Sequence, residues 1–245
     1  MHGSCLCGAV QFDAEAPLRS VIVCHCTQCR KASGHVWAGT SVPEDRLRLT
    51  NAEALRWYRS SPKAQRGFCA DCGASLFWKP DVEDLVSIAA GALDGATGLT
   101  VAAEWYIEDA GDYYTTPAAT DHLQASCLCG ANHFTLPGPM GEVTACHCTQ
   151  CRKLSGHFAA SFDVDEAALH WQSKSVTEYT TPAGGQRGFC TTCGSSLYFR
   201  LDGAFSVEAG CVNNPTGGHL ARHIFTADKG DYYTLTDGLP QSAGA

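Results

Sequence analysis

No apolar run in this chain approaches the roughly 18 residues that a membrane-spanning helix needs. The N-terminus, Met-His-Gly-Ser-Cys, has no basic segment followed by an apolar one, so no secretory leader is visible and a cytoplasmic location is expected. Basic charge is short: 17 Lys and Arg face 25 Asp and Glu, a formal net charge of −8, with no basic block. That balance speaks against duplex DNA or RNA as a partner. Long amphipathic helical stripes are missing too, which excludes a helical bundle. Apolar content is not missing. At 44% hydrophobic residues over 245 positions, the chain reads as folded, either as one large domain or as two small ones.

Against these absences stand 15 cysteines. Disulfide frameworks belong to oxidising compartments, to which nothing here directs the chain. Spacing argues the same way. Cys5/Cys7 and Cys24/Cys26 are Cys-x-Cys pairs, and Cys26/Cys29 and Cys69/Cys72 are Cys-x2-Cys pairs. Such tight pairs aim several sulfurs at one point, which suits a tetrahedral soft cation better than cystines.

The cysteines also reveal a repeat. Gly3-Ser-Cys-Leu-Cys-Gly-Ala9 returns as Ala125-Ser-Cys-Leu-Cys-Gly-Ala131, and Cys24–Lys31 returns unchanged as Cys146–Lys153, both at an offset of 122. Gln65–Gly73 returns as Gln186–Gly194, Gly111-Asp-Tyr-Tyr114 as Gly230–Tyr233, and Thr120-Asp121 is echoed by Thr236-Asp237. The chain is a tandem duplication joined near residue 124, with domains expected at 1–124 and 125–245. Each half holds seven cysteines at matching positions. Cys211, opposite Ala92, is the odd one and reads as a small buried hydrophobe.

Apolar residues alternate in short stretches: Val10/Phe12, Val36/Ala38, Leu47/Leu49, Leu76/Trp78 and Val86/Ile88, then Leu169/Trp171, Leu197/Phe199 and Phe205/Val207. This is strand periodicity. Short helical turns are expected after Cys29 and Cys151 and around Glu44–Arg46 and Asp165–Ala168. The fold class is therefore mostly β, as two domains packed into an intrachain pseudo-dimer. Further oligomerisation is left open.

Seven sulfurs divide most naturally into four and three. Cys69-Ala-Asp-Cys72-Gly73 reads as a zinc knuckle whose simplest partner is Cys5/Cys7 on the first strand. The second-half equivalent is Cys127/Cys129/Cys190/Cys193. Closed four-thiolate sites are structural. Cys24/Cys26/Cys29 and Cys146/Cys148/Cys151 remain as triplets, the pattern of an open, reactive zinc. Up to four zinc ions per chain are expected, two of each kind. His25 and His147, flanked by ligating positions, should point away in extended backbone, although either as a fourth ligand would close its site. Arg30, Lys31, Arg152 and Lys153 follow the triplets and are candidates for holding the carboxylates of a thiol substrate. Arg66 and Arg187 are ambiguous. Three thiolates leave one zinc at about −1, a weak Lewis acid that can still hold a further thiolate ready for attack on a small electrophile. Fourteen thiolates on four divalent ions add about six negative charges to the chain, moving nucleic acid further away.

Together, Cys-x-Cys-Gly, Cys-His-Cys-x2-Cys-Arg-Lys-x-Ser-Gly and Arg-Gly-Phe-Cys-x2-Cys-Gly resemble the glutathione-dependent formaldehyde-activating enzyme family, to which centromere protein V is similar. The resemblance spans nearly the whole chain, twice. It implies β-tent domains, a structural zinc on the first Cys-x-Cys plus the knuckle, and a catalytic zinc on the central triplet. The implied activity is a carbon–sulfur lyase run in reverse, joining glutathione to formaldehyde as S-hydroxymethylglutathione, with a small thiol and a small aldehyde as partners. Single domains are usual in the family, so the tandem copy is a departure. Another is Glu104-Trp-Tyr106 in the first half where the second keeps a family-like His223-Ile-Phe225. The competing reading is a non-catalytic, zinc-stapled binding or carrier module. A chromatin role, suggested by the centromere relative, meets the acidic balance.

Overall fold

A computed structural model describes residues 1–114, 122–213 and 215–245, so the Thr120-Asp121 element of the repeat lies outside the described residues. The fold is mostly β and the two halves are built alike. Among the described residues, the first half has a three-stranded sheet in the order His2–Ser4, Gln11–Ala14, Leu47–Asn51. Its seven-stranded sheet runs Val101–Trp105, Val21–Cys24, Trp37–Pro43, Leu85–Ala89, Ser75–Pro80, Ala64–Cys69, Leu55–Ser61. Pairing is antiparallel except where Val101–Trp105 lies parallel to Val21–Cys24. The second half repeats both sheets, with Gly218–Ile224 as the parallel edge strand beside Gly141–Cys146. No helix among the described residues is long and apolar enough to cross a membrane.

Alternation explains the strands. In Gln11–Ala14 the apolar Phe12 and Ala14 are buried while Gln11 and Asp13 are half-buried, which is the period-two signature of a sheet with one inward face. Two details differ from the sequence expectation. Cys5–Gly8 lies in the turn after the strand His2–Ser4, not on the strand; a strand would put both sulfurs on one face but about 6–7 Å apart, and the turn draws them closer. Helices α1 (Thr27–Ser33) and α2 (Thr149–Ser155) begin before the last triplet cysteine, since Cys26 and Cys148 serve as their N-caps. The join near residue 124 falls inside the strand His122–Ser126.

The halves meet in a pseudo-twofold manner, with several contacts occurring twice, as in an isologous dimer. Gly91 N–H donates to the Gly156 carbonyl (2.9 Å) and Gly210 N–H to the Gly34 carbonyl (2.7 Å). The Gly-Asp-Tyr-Tyr repeats are exchanged. Asp231 of the second half accepts from Thr97 N–H, Thr97 Oγ1 and Gly98 N–H in the first, at 2.9, 2.9 and 3.1 Å. Asp112 reciprocates on Thr216, accepting from N–H (2.8 Å) and Oγ1 (2.6 Å). Behind each aspartate, Tyr113 enters the core of the second half and Tyr232 that of the first. Burying one such ring contributes about 1.5–3 kcal/mol, so neither half completes its core alone. The four-cysteine turns also touch between halves: Gly73, at a φ of 75°, lies under the ring of Phe189, and Gly194 under Phe68, so a Cβ at either would strike the ring at 2.4 Å.

Asp231→Ala and Asp112→Ala each remove charge-assisted bonds between halves. Each is expected to lower the unfolding free energy of the metal-loaded protein by about 1–3 kcal/mol, read by urea denaturation.

Candidate metal centres

Folding gathers fourteen cysteines into four groups, each with its sulfurs within 4.8 Å of one another: Cys5/Cys7/Cys69/Cys72, Cys127/Cys129/Cys190/Cys193, Cys24/Cys26/Cys29 and Cys146/Cys148/Cys151. All are free thiols. In the four-cysteine groups the Sγ atoms of Cys5 and Cys7 are 3.6 Å apart, Cys7 and Cys69 3.8 Å, Cys127 and Cys129 3.5 Å, Cys129 and Cys190 3.7 Å. Those separations are far beyond a disulfide bond. They match the edge of about 3.8 Å that a tetrahedron with metal–sulfur bonds of about 2.3 Å requires. Val10 N–H donates to Cys5 Sγ (3.2 Å) and Asn132 N–H to Cys127 Sγ (3.3 Å), the polarised donors that a bound thiolate needs. Hydrogen bonds from Cys69 and Cys72 hold Cys5 far below the usual thiol range. Bonds from Cys190 and Cys193 do the same for Cys127, while Cys72 and Cys193 are pushed up by their anionic neighbours. Sulfurs this crowded stay together only under shared protons or a divalent cation, and the donor set suits a soft one.

The triplets are built by helix capping. Cys26 Sγ accepts the N–H of Cys29 (3.5 Å), and Cys148 Sγ that of Cys151 (3.4 Å). Bonds from Cys24 and Cys29 lower Cys26 strongly, and bonds from Cys146 and Cys151 lower Cys148. No further His, Cys, Asp or Glu is grouped with either triplet among the described residues. A cavity of about 880 Å³ opens over the second triplet, lined by Cys146, Cys148 and Cys151 together with Arg187, Glu208 and Arg222.

Three of the four basic residues that follow the triplets bond to the other half of the chain. Lys31 Nζ donates to Ser126 Oγ (2.7 Å) and Asn213 Oδ1 (2.8 Å) in the other half, and Lys153 Nζ reaches Ser4 Oγ (2.8 Å) and Asp94 (2.5 Å). Buried Arg30 donates to the Val212 carbonyl (3.0 Å). Neither these three nor Arg152 lines the cavity. The pseudo-dimer draws Arg30, Lys31 and Lys153 into its interface, which a single half could not foretell. Arg66 and Arg187 stand at the sulfurs instead: Arg66 Nη2 is 3.4 Å from Cys29 Sγ and Arg187 Nη2 3.8 Å from Cys151 Sγ. Burial works against the charge on Arg187, but anionic Cys151, Glu208 and Cys148 more than restore it.

His25 and His147 turn away from the sulfurs. His147 bonds to Tyr233 Oη (2.5 Å) and to His223 (2.8 Å), which in turn bonds to Asp237 (2.8 Å). Burial lowers His147 to about 4, so it is a neutral link at pH 7. His25 meets Glu104 at 3.2 Å. The departure of Glu104 from the second-half His223 thus exchanges one polar partner of this histidine for another. Sequence reading overlooked Glu208, which is 3% exposed, has burial pushing its carboxyl up to about 7, and stands opposite Ala89 in the repeat. That mismatch between halves was the available signal.

Fold and site define a duplicated β protein with four cysteine clusters that could hold metal ions. The model of the glutathione-dependent formaldehyde-activating enzyme family matches residues 1–109 and again 122–228. The chain belongs to that family, in tandem-domain form. A Schizosaccharomyces pombe protein described as an uncharacterized lyase is 28% identical over 76 residues, or 31% of this chain, and the match spans 56% of that protein's length. A Rhodobacter sphaeroides protein of known crystal structure is 27% identical, covers 40% of this chain and 92% of its own, and superposes with a TM-score of 0.32.

A structural metal on a four-cysteine group would contribute about 10 kcal/mol or more to folding, so in the metal-loaded protein Cys72→Ser is expected to cost one ion per chain and unfold its domain. Cys148→Ser should cost one ion and leave the fold intact. Metal content by mass spectrometry and circular dichroism distinguish the two.

Proposed function

We propose that this protein is a zinc-dependent carbon–sulfur lyase-type enzyme that adds a small thiol such as glutathione to formaldehyde or a similar aldehyde. One observation carries the reading: a cluster of three cysteines, with no further ligand grouped to it, faces a cavity large enough for a tripeptide-sized thiol. The four-cysteine groups would hold structural zinc, and Cys24/Cys26/Cys29 and Cys146/Cys148/Cys151 reactive zinc. When bound at a triplet, zinc supplies a position where a fourth sulfur is kept anionic near neutral pH. A site already carrying three thiolates is too electron-rich to make a good hydroxide source, so sulfur addition suits it better than hydrolysis.

The chain's own residues supply the rest. Arg187, charged and stacked on Phe199 with its guanidinium carbon 4.5 Å from the ring centre, is held in one place beside the sulfurs. With Arg222 on the cavity wall, it offers cationic partners to the carboxylates of the incoming thiol. The thiol sulfur forms a bond to the aldehyde carbon, the carbonyl π pair moves to oxygen, and the thiol proton ends on that oxygen. The lyase name of the fungal relative and the family description both fit this chemistry run in reverse.

Because thiols and formaldehyde also combine unaided, the decisive measurement is the exchange rate by NMR. Wild-type protein should accelerate exchange between glutathione and S-hydroxymethylglutathione, and the double variant Cys26→Ala/Cys148→Ala should remove the acceleration. Equal rates with and without protein would replace the enzyme by a carrier. Arg187→Ala should raise KM for glutathione by about 10-fold or more, the loss of one charge-assisted contact.

A further inference from the structure

The two triplets share one sequence, yet the sheet around them differs at three neighbouring positions: Trp37, Gly39 and Ala89 in the first half stand where the second has Ala159, Ser161 and Glu208. Register places Trp37 beside Cys24 and Ala159 beside Cys146, so each lies on the same sheet face as its cysteine. Farther along that face, Ala89 pairs with Gly39 in the first half and Glu208 with Ser161 in the second. Trp37 is 6% exposed and belongs to the core cluster that includes Cys29 and is packed by Cys24 and Cys26. Its ring lies over Gly39, where a Cβ would meet it at 2.5 Å.

The helix C-caps show what replaces the indole. Beside Gly156, a Cβ would lie 3.0 Å from Ala89 Cβ and 3.2 Å from Trp37 Nε1. Beside the equivalent Gly34, it would lie 2.9 Å from Glu208 Oε2 and 3.3 Å from Glu208 Cβ. The Glu208 carboxyl therefore takes the place of the Trp37 nitrogen, and the rest of the indole's volume has no counterpart over Ala159. The cavity of about 880 Å³ lies on that side, with Ala159, Ser161 and Glu208 among its walls. Glu208 Oε2 is buried and has no hydrogen-bond partner among the described residues, while Oε1 has only Ser196 Oγ at 3.5 Å. A buried carboxyl left half-satisfied on a cavity wall is costly to the fold unless something entering the cavity uses it.

We propose that the duplicated triplets have divided their roles: the second alone takes up the thiol, with Glu208 as its proton carrier, and Trp37 closes the first. This rests on the thiol–aldehyde reading above and states where, and with which acid, it happens. The proton balance is closed. Glu208 carboxylate takes the proton of the entering thiol, the thiolate forms the S–C bond, and Glu208 carboxylic acid returns that proton to the former carbonyl oxygen. A carboxyl held near 7 by burial is matched to both transfers.

The test uses the full chain loaded with cadmium-113 and glutathione as the probe. Cys26→Ser and Cys148→Ser each delete one open-site resonance and so assign both. Glutathione should shift only the resonance that Cys148→Ser removes. In Trp37→Ala both should shift, and in the triple variant Ala159→Trp/Ser161→Gly/Glu208→Ala, which rebuilds the first-half arrangement in the second half, neither should. Equal shifts of both resonances in the wild type would overturn the division of roles while leaving the thiol reading in place. No shift at either would sink both. Glu208→Gln should keep the glutathione shift and slow the catalysed exchange with formaldehyde by about 100-fold or more. An unchanged exchange rate would remove Glu208 from the chemistry.

Discussion

Thiolate crowding is the constraint on which this molecule depends. In each half, seven sulfurs from three distant stretches of chain converge on two small volumes, with Sγ separations of 3.5–3.8 Å among the neighbours in the four-cysteine groups. Left to themselves such sulfurs repel once ionised and lose hydration when buried. The fold answers with backbone N–H donors aimed at the sulfurs, two helix N-caps made of cysteine, and one buried arginine per triplet. Each device lowers the cost of an anionic sulfur, and together they make sites whose donor set suits a soft divalent cation.

Duplication then solves a second problem. A mostly-β unit of about 120 residues buries a modest core. Here each half lends the other a tyrosine, Tyr113 in one direction and Tyr232 in the other, tied by Asp112 and Asp231. The hairpin residues Tyr58 and Tyr179 likewise pack on the partner's core. Covalent linkage fixes this exchange at high effective concentration. It also frees the halves from strict equivalence, since two linked copies can diverge where a homodimer cannot.

Much of the site was legible from spacing alone. Cys-x-Cys and Cys-x2-Cys pairs have so little chain between their sulfurs that local geometry brings them together in almost any fold, and the repeat supplied the fourfold division. Short strands were legible where buried residues alternate, as at Phe12 and Ala14. Val21–Cys24 and Leu55–Ser61 were not, because the first is apolar almost throughout and the second is polar on much of its length. The lysines after the triplets lie elsewhere for a plain reason. Sequence neighbours of a ligand share its backbone but not its direction, and at the end of a seven-residue helix the side chains of Lys31 and Lys153 reach the other half.

By itself the sequence determined the number of sulfur clusters, their membership and their doubling, since covalent spacing limits how far apart those atoms can travel. Only the tertiary structure decided which charges stand beside them and which side chains surround each triplet. Arg187 meets Cys151 across adjoining parts of the fold, and Trp37 and Glu208 occupy equivalent places at the two helix ends although they come from different strands. Contacts of that kind are set by register and by how two halves pack, and no local stretch of chain encodes either.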